Sequence, residues 1–179
     1  MKRHIALLRG INVGKAKRVA MADLREMMQG LGYENVRTLL NSGNVVFDAN
    51  AGTPAGHAKK LKAAVRDECG VDAEVIVKAA ADLSAAIAEH PLKKHAQDDS
   101  HLLVMFVQDA SDLPKLKAVG KTDWSPEVLA VGAHAAWLWC PNGLATSPLV
   151  TAVGKALGPV GTGRNWATVC KLMAMVEAD

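Results

Sequence analysis

The chain has 179 residues, half of them hydrophobic and only 4% aromatic; that excludes a disordered chain and leaves one large or two small cores built mainly of Ala, Val and Leu. The formal net charge is +3 and unevenly placed: residues 1–22 hold six basic groups (Lys2, Arg3, Arg9, Lys15, Lys17, Arg18) and no acid, while the remainder holds 15 basic and 18 acidic residues. A local basic field on a slightly acidic body suits capture of an anion better than general adhesion to nucleic acid.

In chain order, residues 4–9 read as a strand that ends in the glycine-punctuated loop Arg9-Gly10-Ile11-Asn12-Val13-Gly14. The spacing of Met21, Leu24, Met28 and Leu31 predicts a helix over 21–31, closed by Gly32. Val36 to Leu40 is a strand. Asn41-Ser42-Gly43-Asn44 is a short hairpin connection in which Gly43 supplies positive φ, and Val45 to Phe47 is the return strand. A turn at Gly52 to Pro54 leads into a helix with Ala58, Leu61 and Val65 on one face, and Ala73 to Val77 is a fourth strand. This β-α-β-β-α-β order is the ferredoxin-like unit, with expected strand order 4-1-3-2. That topology puts the loop after strand 1 and the hairpin of strands 2 and 3 at one end of the sheet. An alanine-rich helix over 79–89 follows, and Lys93 to Ser100 reads as a linker.

The second half repeats the plan without residue-level identity. Strands are expected at Leu102 to Val107, Val128 to Val131 and Ala135 to Cys140, with helices at Leu113 to Val119, Leu149 to Leu157 and 166–177. Gly158 to Gly161 stands as a connector where a last strand would belong. The fold expected is therefore α+β, two ferredoxin-like halves packed together, the second lacking a clear last strand. Its divisions are 1–78, a helix and linker over 79–100, and a related half with an extra C-terminal helix over 101–179.

Cys69, Cys140 and Cys170 are far apart and no C-x-x-C occurs, which argues against a disulfide framework or a structural zinc. The apolar run before Arg9 is too short for a signal-peptide core, and no run approaches the ~20 residues of a membrane helix. A cytoplasmic protein with no membrane partner, metal or cofactor is expected. His90, His95 and His101 lack ligand spacing and read as solvated, and Cys140 reads as a buried free thiol without a base.

Three groups of residues are candidates for function. Arg9, Gly10, Asn12 and Gly14, followed by Lys15, Lys17 and Arg18, offer cations, an amide and close-approaching backbone for an anion. Asn41, Ser42 and Asn44 would face them across the sheet end. Arg164, Asn165 and Lys171 flank the start of the last helix, where Asn165 is a plausible N-cap for Thr168. Each group has a plain structural alternative: a solvated strand-to-helix loop, turn asparagines that satisfy nearby backbone, and an arginine held by an internal carboxylate.

The phrases L-L-R-G-I-N-V-G, M-A-D-L-R-E-M-M, V-R-T-L-L-N-S-G-N-V-V-F and R-N-W-A-T-V-C-K-L resemble the bacterial family catalogued as domain of unknown function 1697. The resemblance implies an α+β fold of two related halves and no activity. Its signature residues fall here on Arg9, Gly10, Asn12, Gly14, Asn41, Ser42, Gly43, Asn44, Arg164, Asn165, Trp166 and Lys171. Two departures stand out. Thr162-Gly163-Arg164 replaces the family's T-T-R, and Ser147-Pro148-Leu149 replaces S-K-L, which removes a lysine.

The sequence assigns no reaction. The leading expectation is a binding protein or enzyme for a phosphate-bearing ligand, a phosphorylated small molecule, nucleotide or nucleic-acid end. One rival is a nucleic-acid-binding module using its sheet face, against which stands the lack of stacking aromatics on the central strands. The other is a structural or partner-binding protein with no ligand. Oligomeric state is left open.

Overall fold

The computed structural model describes residues 1–15, 17–95 and 98–178. The expected linker over 93–100 includes Ala96 and Gln97, which lie outside the described residues. The chain divides into two compact units, Met1–Ala81 with Leu172–Asp179, and Asp82–Lys171.

The first unit is built on β1 (Lys2–Arg9), whose residues 4–8 are all buried. Such a continuous apolar run is what a strand covered on both faces requires. After α1 (Met21–Gly30) come β2 (Glu34–Leu39) and β3 (Asn44–Ala49), then α2 (Pro54–Cys69) and β4 (Glu74–Ala79). Thr53 caps α2 by accepting from the Gly56 amide at 3.1 Å, Pro54 occupies its first turn, and Gly70 stops it at φ 66°. One face of the sheet (Ala6, Leu8, Val45, Phe47, Val75, Val77) packs with Leu24 and Met28 of α1 and Leu61 and Val65 of α2 in one core.

The strand order is β2-β3-β1-β4, and every neighbouring pair is antiparallel. Because β1 and β2 both run against β3, they run parallel to each other. The exit of β1 and the β2–β3 turn therefore share one end of the sheet. The register makes this concrete: Leu7 pairs with Asn44, and the Leu8 amide donates to the Gly43 carbonyl at 2.8 Å.

The second unit takes in most of α3 (Ala80–Glu89), then β5 (Leu102–Val107), a 3-10 stretch (Ala110–Lys117), β6 (Val128–Val131), β7 (Ala136–Trp139), α4 (Pro148–Leu157), β8 (Gly161–Asn165) and the start of α5 (Trp166–Glu177). Its strand order is β6-β7-β5-β8, again wholly antiparallel. The expectation that this half lacks a clear last strand is overturned. β8 pairs with β5 from Leu103↔Asn165 to Val107↔Gly161. Two glycines hide it from strand propensity, yet both are needed for packing. A Cβ on Gly161 would meet Leu157 at 2.8 Å, and one on Gly163 would meet Met105 Sδ at 2.7 Å. The helix expected at Leu113 to Val119 is instead the 3-10 stretch, with Pro114 inside it and Asp109 accepting from the Ser111 amide.

Candidate functional site

Asn12 organises the loop end of the first sheet. It sits at φ 56°, a left-handed conformation that Asn tolerates better than most residues. Its Nδ2 donates to the Val19 carbonyl at 2.8 Å and to the Asn41 carbonyl at 2.7 Å. Its Oδ1 accepts from the Val19 amide at 2.9 Å, and its own amide donates to the Lys17 carbonyl at 2.9 Å. One side chain thus closes the loop over residues 12–19 and ties it to the hairpin.

The hairpin is held as firmly. Gly43 lies at φ 77°, and a Cβ there would come within 2.7 Å of Leu8 Cβ and 2.9 Å of Ile11 Cδ1. Asn44 is fully buried, and its Nδ2 donates to the Leu39 carbonyl and to Ser42 Oγ. Ser42 and Asn41 are exposed.

The closed loops display their charge outward. Arg9, Gly10, Gly14, Lys15, Lys17 and Arg18 are all exposed. Lys17 Nζ donates to the Asp72 carbonyl at 3.2 Å, and Arg9 lies opposite Glu74 in the β1–β4 register. Lys15 and Arg18 make no ion pair among the described residues. The structure therefore brings together the loop and hairpin groups expected from the sequence, but Asn12 and Asn44 turn their amides inward as scaffolding.

The third group belongs to the second unit. Arg164 is half-buried on β8, and its Nη1 donates to Thr162 Oγ1 at 3.0 Å and to the Gly163 carbonyl at 2.8 Å. Burial pulls its guanidinium down to about 10. Asn165 Oδ1 accepts from the Thr168 amide at 2.9 Å, so it caps α5, and Lys171 is exposed.

Cys140 is fully buried, and burial pushes its thiol up to about 11. It donates to Ser147 Oγ at 3.3 Å, and Ser147 in turn caps α4 through the Val150 amide. Pro148 after it fills the first helical turn, where proline is favoured, which accounts for the S-P-L departure. The expectation that His90 is solvated is wrong. It is 7% exposed and stacked on Trp137 at 4.4 Å, with Trp166 at 4.8 Å, because the end of α3 delivers it to an aromatic cluster. His95 is exposed and His101 half-buried.

Among the described residues, four clefts are formed without lining residues from the two tied loops. The largest of these four, about 540 Å³, is acidic and lined by Asp23, Glu26 and Glu68. The others are lined by Tyr33, His57 and Lys60, by Arg3, Asn35 and Arg37, and by Trp124, Glu127 and Ser147. Among the described residues, no group of three or more His, Cys, Asp or Glu is placed to hold a metal ion, and no helix is long and apolar enough to cross a membrane.

Residues 1–137 match the model of a family described as a protein of unknown function, DUF1697. The chain belongs to this family. No curated protein matches the sequence. Among solved structures, the conserved bacterial protein SP0830 from Streptococcus pneumoniae is similar over 98% of this chain and 99% of its own, with a TM-score of 0.77 and 23% identity. That likeness establishes a shared fold for this DUF1697 member.

Sequence reasoning missed Val13 and Leu40, which are 71% and 55% exposed on the two tied loops. An apolar residue beside a glycine or at a strand end carries no signal of exposure. It also missed the Glu89 carboxylate, which accepts from the amides of Ala133, His134 and Ala135 at 3.0–3.2 Å in the β6–β7 turn.

Proposed function

We propose that this DUF1697 protein binds a phosphate-bearing ligand, a nucleotide or nucleic-acid end, at the loop edge of its first unit. The observation that carries the reading is the Asn12 tie. It fixes two loops by hydrogen bonds to Val19 and Asn41 while Lys15 and Arg18 stand exposed without an ion pair among the described residues. The tie holds the backbone that carries these exposed cations, so an anion is met with little reorganisation of the main chain. Ligand contact falls to Arg9, Lys15, Lys17, Arg18 and Asn41, and Asn12 and Asn44 hold them in place. Both units are taken as ferredoxin-like in this proposal, supported by the shared strand order.

A thermal-shift screen of orthophosphate, nucleotides and 5′-phosphorylated oligonucleotides tests it. Ligand at 100 Kd should add ~2.7 kcal/mol, which is a shift of roughly 5–10 °C for a chain of this size. The Lys15→Ala/Arg18→Ala variant should lose the shift and keep its unliganded Tm. No shift with any anion, or a shift unchanged in the variant, refutes the reading.

A second reading is favoured by one observation. The asparagine amides go to internal partners, as in a structural or partner-binding protein without a ligand. The same screen separates the two.

A further inference from the structure

Among the described residues few large apolar side chains are exposed: Met1, Val13, Leu40 and Val131. Two of the four stand on the pair of loops that the hydrogen bond from Asn12 Nδ2 to the Asn41 carbonyl ties together. Val13 is held between Asn12 at φ 56° and Gly14 at φ 63°. Leu40 is itself at φ 57°, a left-handed conformation that a bulky residue rarely adopts, and it is 55% exposed. Burial of the Leu40 side chain does not offset that backbone cost. Strain of this kind, held by surrounding structure, collects at working sites.

We infer that this edge binds a DNA duplex in its minor groove, with Val13 and Leu40 as an aliphatic wedge, the Asn41 carboxamide at the base edges, and Lys15, Lys17 and Arg18 on the flanking phosphates. The inference rests on the phosphate-binding reading above and adds the partner. Three considerations select a duplex. A free nucleotide gains most contact in a concave pocket, and none of the four clefts described is lined by residues of the two tied loops, so a duplex spanning both loops would make the larger contact there. Single strands are held by stacking on aromatic side chains, but Tyr33 and Phe47 of this unit are 5% and 0% exposed. Proteins that enter the minor groove instead combine Arg, Lys and Asn with aliphatic wedges between base steps. An anionic lipid surface would also attract the cations and the aliphatic pair. Its headgroup oxygens, however, offer the exposed Asn41 amide no acceptors at set positions, whereas base edges do.

The test is anisotropy of the full chain on a labelled A·T-rich duplex of about 20 base pairs carrying one 2-aminopurine, titrated between about 50 and 200 mM salt. Three phosphate contacts predict a log–log slope near −2.7, and Lys15→Ala/Arg18→Ala should flatten it by about 1.8. Leu40→Gly relieves the positive φ and so keeps the fold. It should weaken binding roughly tenfold with the slope unchanged, and should lose the 2-aminopurine fluorescence rise that reports unstacking. Duplex binding by Leu40→Gly equal to wild type overturns the wedge. So does tighter binding to a single strand of the same sequence, or to vesicles rich in phosphatidylglycerol. If orthophosphate or nucleotides stabilise the wild type but not Lys15→Ala/Arg18→Ala while the duplex fails to bind, the phosphate reading stands and the duplex inference falls. If none of them binds, both fall.

Discussion

Replacing Asn12 measures how far one amide holds the loop edge together. Asn12→Gly removes three side-chain hydrogen bonds, two to Val19 and one to the Asn41 carbonyl, and keeps a residue at ease at φ 56°. At ~1 kcal/mol each, with the exposed bond to Asn41 discounted, the loss should be about 2 kcal/mol. Asn12→Ala loses the same bonds and must also hold a left-handed backbone, adding about 1 kcal/mol. At ~2–4 °C per kcal/mol, Tm should fall by roughly 4–8 °C and 6–12 °C respectively. Hydrogen exchange gives the local readout. The Val19 amide, which donates to Asn12 Oδ1, should lose protection in both variants, while the β5 amides keep theirs. If Asn12→Gly lies within about 0.5 kcal/mol of wild type, in the range of an ordinary surface substitution, Asn12 does not hold the loop and the positioning argument for the cations fails with it.

Other outcomes follow from single contacts. Gly43→Ala should be severe, about 2–4 kcal/mol by urea unfolding, because positive φ and the overlap with Leu8 and Ile11 add together. Glu89→Ala should release the three turn amides of Ala133, His134 and Ala135 to rapid exchange and cost ~1–2 kcal/mol. With a maleimide near neutral pH, exposed Cys170 should label and buried Cys140, its thiol held up at about 11, should not until the protein unfolds.

The parts of the fold that repeat a simple period were legible in the sequence. The unbroken Ile5 to Leu8 run, the helical spacing of Leu24 and Met28, and the turn chemistry of Gly43 each read directly. From the resulting strand order, the meeting of the Asn12 loop with the Asn41 turn followed. β8 was not legible, because the glycines on either side of Thr162 lower its strand propensity and the segment is ordered by its pairing with β5. Long-range electrostatics were hidden as well. Arg3 binds Asp48 at 3.0 Å and also donates to the Val176 and Ala178 carbonyls at the end of α5, while Arg37 donates to the Met175 carbonyl. Arg3 beside it holds the Asp48 carboxyl below its ordinary range. Cations at a helix C-terminus are favourable, yet nothing local in the sequence joins residue 3 to residue 176. The Asn12 and Asn44 amides were legible as polar loop residues but not as inward-facing ones, since their partners are backbone groups that only the fold assembles.

The buried histidines make acid the most informative condition for stability. His57 is 6% exposed among His4, Tyr33 and Phe47, with Nδ1 against the Tyr33 hydroxyl at 3.0 Å, and its Nε2 makes no hydrogen bond among the described residues. His90 stacks on Trp137 and also contacts Trp166, with Nδ1 likewise unpartnered among the described residues. Burial lowers both imidazoles below 6.5, helped by His4 and Lys60 at His57 and by Lys93 at His90, where Asp99 opposes. The unfolded chain then binds more protons than the native one once pH drops below 6.5, so stability is full above that value and declines as pH falls towards the folded values. The carboxylates do not confuse this window. Asp48 is lowered from 3.8, and its contribution is lost only near and below that pH. Urea midpoints between about pH 8 and pH 5 should therefore fall continuously below pH 6.5. His90→Phe keeps the stack on Trp137 without a titrating nitrogen, and should flatten part of that slope. A wild-type midpoint that stays level down to about pH 5 would mean these imidazoles protonate in place, and would refute the claim that their burial costs the native state anything in acid.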